Sequence, residues 1–230
     1  MKLFKEVFNL FYPKLCVTCE NHLVQSEKYL CSSCLYELPE TGFFTIRNNL
    51  LEQSLKGRVP IVKAAALFYY RKNGKVKELI HSLKYKNRQE LGDFFAKWIG
   101  LKLIESKFSE SIDGIIMVPL HAKRYKERGY NQLSVFAKQL SKELKIPVFD
   151  KVLIKVAQSS SQTKKGRYSR FEKLDERFHI SDTNILKNKH ILLIDDVFTT
   201  GATIEACANE ISKTSNVRIS VVTMAISDPY

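Results

Sequence analysis

Ile191-Leu-Leu-Ile-Asp195-Asp196-Val-Phe-Thr199-Thr200-Gly201-Ala-Thr203 changes character twice within a few residues. With His190 before it, the apolar opening reads as a strand buried on both faces, since no polar residue alternates through it. Two carboxylates stand at its carboxyl end. A small hydroxylated set follows, with a glycine free to take positive φ, and then a helical pattern from about Thr203 to Thr214. In open α/β sheets ligands bind outside the carboxyl ends of the strands, so this loop is the first place to look for one. The first amides of a helix lack internal partners. Those amides, the threonine hydroxyls and the positive helix end can therefore converge on one anion. Thr199, Thr200, Gly201, Ala202 and Thr203 form the candidate phosphate-binding set. Asp195 and Asp196 lie about one sugar's length away, where they can accept from ribose hydroxyls or hold a hydrated Mg²⁺. Without a ligand the same residues would be a strand cap and a turn; the strand–loop–helix context favours the anion.

Working outward, Ala64–Tyr70 is a short apolar run suited to a buried strand, and Gly114–Val118 is another, closed by Pro119. Helical spacing runs from Gly74 to Lys107 and again from Tyr130 to Leu144, where Leu133, Phe136, Ala137 and Leu140 share a face. Val217–Ile226 reads as the last strand, and residues 158–170 as a polar, basic loop. Strands alternating with amphipathic helices predict a mostly parallel sheet with helices on both faces. Three parts are expected: an N-terminal cysteine module over 1–40, a linker over 41–60 and an α/β domain over 61–230.

The chain has 230 residues, 44% of them hydrophobic, enough to bury a core. Lys and Arg number 37 against 24 acids, a formal charge of +13 that favours polyanionic partners without choosing among them. No apolar run approaches the roughly 18 residues of a membrane span. Near the N-terminus Lys5, Glu6 and Asn9 interrupt the apolar residues, so there is no signal-peptide core. Phe4, Val7, Phe8 and Phe11 instead make an amphipathic stripe suited to packing on the protein itself, with a membrane-lying helix as the other use of such a stripe. A cytoplasmic protein with no stable membrane span is the expectation.

Four of the five cysteines fall in two CxxC pairs, Cys16 with Cys19 and Cys31 with Cys34. Each pair turns two thiolates toward one ion, and two pairs complete a tetrahedral site of the kind zinc takes structurally. Disulfides would need an oxidising compartment, and a redox pair would need a helix start beside a strand. Iron–sulfur ligation is open to the same thiolates, but no other residue points to it. Cys207, on a predicted helix face, reads as an ordinary buried thiol.

The Asp195–Thr203 stretch resembles the phosphoribosyl pyrophosphate motif of type I phosphoribosyltransferases. Together with the CxxC pairs, Arg128-Gly-Tyr-Asn-Gln132 and Gln162-Thr-Lys, nearly the whole chain is similar to the ComF family of competence proteins. That resemblance implies a type I phosphoribosyltransferase-like domain behind a small zinc module. It implies phosphoribosyl pyrophosphate or a related ribose phosphate as ligand, with Mg²⁺, and a role in DNA uptake. Pro119, Leu120, His121 and Lys123 match the position of the family's pyrophosphate loop; a structural role for His121 is equally compatible. Lys123, Arg124, Lys126 and Arg128 supply cations there, and charge alone would also fit a solvated basic face. Lys164, Lys165, Arg167 and Arg170 lie in a loop whose family counterparts close over the ligand. Arg128 and Lys164 are the candidate catalytic cations. Where the family has asparagine in an Arg-Trp/Phe-x-Asn run, this chain has Lys173. Lys84-Tyr-Lys86 also matches a family run. Aromatics such as Tyr85, Tyr125, Tyr130, Tyr168 and Phe171 among basic residues suit a second reading, a grip on single-stranded DNA, with other DNA-uptake proteins as partners.

Overall fold

The fold comes from a computed structural model describing residues 13–120, 129–156 and 177–228. Its elements in chain order begin with α1 (Ser32–Tyr36), α2 (Leu50–Leu55), β1 (Ala64–Tyr70), α3 (Lys75–Tyr85) and α4 (Leu91–Glu105). They continue with β2 (Gly114–Met117), α5 (Leu133–Leu144), β3 (Leu153–Val156), β4 (Arg177–Ile180), β5 (His190–Phe198), α6 (Ala202–Ile211) and β6 (Arg218–Ser227). The expected N-terminal stripe, the basic residues of 121–128 and the 158–170 loop lie outside the described residues.

The main sheet runs β1-β6-β5-β2, and every pair is parallel. Beside β2 the chain adds one more parallel segment: Ile115 N–H donates to Pro147 and Phe149 N–H donates back to Ile115. Gly114 permits this approach, because a Cβ there would sit 2.3 Å from the Phe149 ring. Parallel strands need long crossovers, which α5 and α6 provide. From β2 the chain moves outward through α5; from β5 it moves the opposite way through α6 to β6. Right-handed crossovers in opposite directions put these helices on opposite faces and open a crevice between the carboxyl ends of β2 and β5.

Residues 41–60, expected as a linker, are instead part of the packed body. Thr41 N–H donates to Leu67, its hydroxyl to Ala66, and Tyr69 N–H donates to Pro39. Asn49 caps α2 through Leu51 and Glu52 N–H while its amide donates to Ala64 at 2.8 Å; Glu52 accepts from Ala64 N–H. These bonds satisfy the outer edge of β1, which would otherwise leave its peptide groups unpaired. Leu51 and Leu55 are fully buried. The cysteine head joins the same core through Tyr29 and Leu30, and the Tyr29 ring meets Phe94 edge-on at 6.2 Å.

Two further features were absent from the sequence pattern. The helical stretch beyond Gly74 resolves into α3 and α4, broken around Asn87, which takes positive φ. β3 and β4 pair antiparallel as a separate ribbon on either side of 157–176.

Candidate functional site

β5 extends beyond its expected end, so Asp195 and Asp196 lie within it: Asp195 is in register with Thr223 and Phe198 with Ile226. Successive side chains of a strand point to opposite faces, so the two carboxylates diverge. Asp196 is buried and takes two partners from separate helices. Lys84 Nζ, in the last turn of α3, donates to Oδ1 at 2.6 Å; Gln132 Nε2, at the start of α5, donates to Oδ2 at 2.7 Å. Tyr130 ties the same two helices, its hydroxyl donating to Leu83 at 2.6 Å. Asp195 Oδ1 accepts the Asp196 N–H at 2.8 Å.

After Phe198 the chain turns through Thr199, Thr200 and Gly201 into α6. Gly201 is the N-cap with φ of 77°, and a Cβ there would meet the buried Phe198 ring at 2.6 Å. No other residue keeps this turn without moving that ring. Thr199 and Thr200 are exposed, and Thr200 Oγ1 accepts from Ala202 N–H.

A cavity of about 240 Å³ opens here, lined by Asp195, Asp196, Thr199, Thr203, Pro119, Leu120, Val118, Lys84, Gln132 and Lys155 among others. It lies at the switch between β2 and β5. Six of the residues expected from sequence meet in its wall; Thr200, Gly201 and Ala202 form the adjoining turn. Arg128, Lys164, His121 and Lys123 lie outside the described residues. Sequence reasoning assigned no chemistry to Lys84 or Gln132, although both stand in family-like runs, and gave no role to Arg58. Arg58 reaches this turn from the far side: Nη1 donates to the Thr200 carbonyl at 2.9 Å and Nε to Glu205 at 3.0 Å.

The second cluster is the head. The thiol sulfurs of Cys16, Cys19, Cys31 and Cys34 all lie within 4.8 Å of one another, and Cys19 and Cys31 are 3.7 Å apart. Tetrahedral thiolates about 2.3 Å from one ion would be separated by about 3.8 Å, so this set fits one tetrahedral metal with no open position. The sulfurs divide electrostatically. Burial opposes ionisation of Cys16, but hydrogen bonds from Thr18 and the Cys31, Thr18 and Cys19 amides bring it down to about 6. Cys34 is also lowered: burial opposes its ionisation, but Thr18 and Lys75 outweigh it. Cys19 is favoured as thiolate by Asn21, but desolvation and its sulfur neighbours push it up to about 12. Four thiolates this close need a cation.

A profile described as "Phosphoribosyl transferase domain" matches residues 134–226, which hold β5, its loop and α6. Competence protein F of Haemophilus influenzae is 26% identical over 88% of this chain and 91% of its own length. DNA utilization protein YhgH of Salmonella typhimurium is 24% identical over 86% and 91%. Competence protein ComFC of Bacillus subtilis is 24% identical over 85% and 76%. Among solved structures, adenine phosphoribosyltransferase from Leishmania tarentolae aligns over 83% of this chain and 94% of its own, with 16% identity and a TM-score of 0.38. These three relatives match over most of this chain, and the domain match falls on the segment that builds the crevice floor. A four-cysteine head, a phosphoribosyl transferase domain match and relatives named for competence together support a ComF family protein.

Proposed function

We propose that the crevice binds the ribose 5-phosphate part of phosphoribosyl pyrophosphate, and that the protein transfers the phosphoribosyl group during DNA uptake. The observation that carries this reading is the pairing of Asp195 and Asp196 with a Thr-Thr-Gly turn capping α6, at the sheet's switch point. The 5′-phosphate would lie against Thr199, Thr203 and the first amides of α6, and the ribose hydroxyls against Asp195. Asp196 serves differently. Its two oxygens already accept from Lys84 and Gln132, so it fixes the floor of the site and holds Lys84's charge in the cavity wall. Asp195 is then the carboxylate that would hold a hydrated Mg²⁺, whose charge would help neutralise the leaving pyrophosphate. In the transfer the bond from the anomeric carbon to pyrophosphate breaks and a bond to a nitrogen nucleophile forms, which then loses its proton. The protein's share is positioning and electrostatics. Pro119, Leu120, His121 and Lys123 would face the pyrophosphate, with Arg128 and Lys164 as its cations. In the head, zinc is the structural ion for the four thiolates.

The relatives named for competence and DNA utilization support the DNA-uptake setting. The charge of +13 favours a second reading, a grip on single-stranded DNA that uses the turn for a terminal phosphate. Calorimetric titration of phosphoribosyl pyrophosphate with Mg²⁺, beside a 5′-phosphorylated single strand, separates the two. Binding of the small molecule, lost in Asp195→Asn/Asp196→Asn with the fold intact, is the expected result. Binding of the strand alone would replace the transferase reading with the grip.

A further inference from the structure

We infer that Arg58 is the positioning residue of the phosphate turn, acting through the Thr200 carbonyl from a segment remote in sequence. This rests on the reading of that turn as a phosphate site and names what holds it in shape. Arg58 follows α2, and its guanidinium bridges three places. Nη1 donates to Ser54 in α2 at 3.1 Å and to Thr200 in the turn at 2.9 Å; Nε and Nη2 both donate to Glu205 in the first turn of α6. Thr200 and Glu205 lie 142 and 147 residues away in sequence. Side chains of both Arg58 and Glu205 are about one-third exposed, 34% each.

The consequence is geometric. Across a trans peptide the carbonyl and the following N–H point in opposite directions. Holding the Thr200 carbonyl against Arg58 therefore turns the Gly201 N–H away from Arg58. The positive φ of Gly201 then leads directly into α6, whose first-turn amides have no carbonyl partner within the helix. Glu205 absorbs the guanidinium's charge, so Arg58 shapes the turn and does not serve as the anion's counter-ion. The same contact explains the crowding around Gly201, where a Cβ would come within 3.2 Å of Nη1 as well as striking Phe198. An arginine suits this role because its rigid planar fork spreads separate N–H donors toward a carbonyl and a carboxylate, whereas an ammonium offers its three donors from a single point.

The test uses the full chain and two probes, ribose 5-phosphate and ribose, followed by calorimetry and by the Gly201 and Ala202 amide resonances. In the wild type, ribose 5-phosphate should bind and shift both resonances. Arg58→Met should weaken ribose 5-phosphate at least about tenfold, the weight of one hydrogen bond to a charged group, and leave any ribose affinity unchanged. Arg58→Lys should recover part of the loss. Glu205→Gln, which keeps Arg58 on Thr200, should lose less than Arg58→Met and guards against a folding defect in that variant. Equal binding by wild type, Arg58→Met and Glu205→Gln would overturn this inference and leave the phosphate site standing. No binding by the wild type would overturn the phosphate reading itself.

Discussion

The cysteine head and the crevice are built by opposite strategies. The head draws all four of its sulfurs from residues 16–34, two turns that bring them within 4.8 Å of one another. The crevice gathers Lys84, Pro119, Gln132, Asp196 and Thr199 from α3, the end of β2, the start of α5 and β5, with Arg58 braced behind it. A local site depends on its ion, because the thiolates have little else to hold them together. An assembled site depends on the sheet, because the β5 and β2 pairing sets its separations before any ligand arrives. Loss of an ion should therefore be felt mainly as stability, and loss of a crevice residue mainly as affinity.

The largest effect should come from Cys16→Ser. Cys16 is 1% exposed and part of the common core, so removing the ion frees the head and withdraws cover from Tyr29 and Leu30. Expected are loss of one bound zinc and a stability decrease of about 3 kcal/mol or more, on the order of 10 °C in melting temperature. Metal analysis and thermal unfolding, with and without a chelator, check it. A serine variant that keeps one equivalent of zinc and melts like the wild type would break the contrast at the head.

This division also governs what the sequence revealed. The cysteine pairs were legible because both ligands of each turn sit three residues apart. Ile191–Ile194 was legible because a strand buried on both faces leaves an unbroken apolar run. Gly201 could be read as a turn residue, but the Phe198 ring beside it, which makes glycine obligatory, could not. Segment 41–60 misled because its polar residues do their work inward: Asn49 and Thr41 are buried and bond the edge of β1, which composition cannot distinguish from solvation. β3 and β4 are four residues each, too short for a period to show. Lys84 and Arg58 carried ordinary surface-lysine and surface-arginine signals, since their partners lie more than a hundred residues away.

Gly201→Val should have the next largest effect and should sharpen the contrast from the crevice side. Valine at φ of 77° is strained, and its Cβ collides with a ring that is itself 3% exposed. About 2 kcal/mol of destabilisation is expected, with ribose 5-phosphate binding lost and zinc content unchanged. Chemical denaturation, calorimetry and metal analysis on one preparation report all three. Retained phosphate binding would mean that the turn's shape is unimportant to the ligand.

The smallest effect concerns the amino end of β5, where His190 provides a titrating group away from both regions. Its ring bridges Ser111 and Ser220 Oγ, each at 2.9 Å, and it is 2% exposed. Burial holds its pKa below the ordinary value of 6.5, helped by the charges of Arg218 and Lys63, while the Ser111 bond and Asp113 oppose the shift. The folded ring therefore resists protonation in a pH range where the unfolded ring accepts it. Stability is present above about pH 6.5 and falls on acidification below it, by at most about 1.4 kcal/mol per pH unit from this group. Denaturant unfolding between pH 7.5 and 5.5 should show that slope, and His190→Gln, which keeps both serines within reach of an amide, should flatten it. Ribose 5-phosphate affinity at pH 7.5 should be the same in both proteins, because the strand separates His190 from the crevice. If the variant loses affinity, the sheet transmits changes along β5, and the crevice depends on more than its own end of the fold.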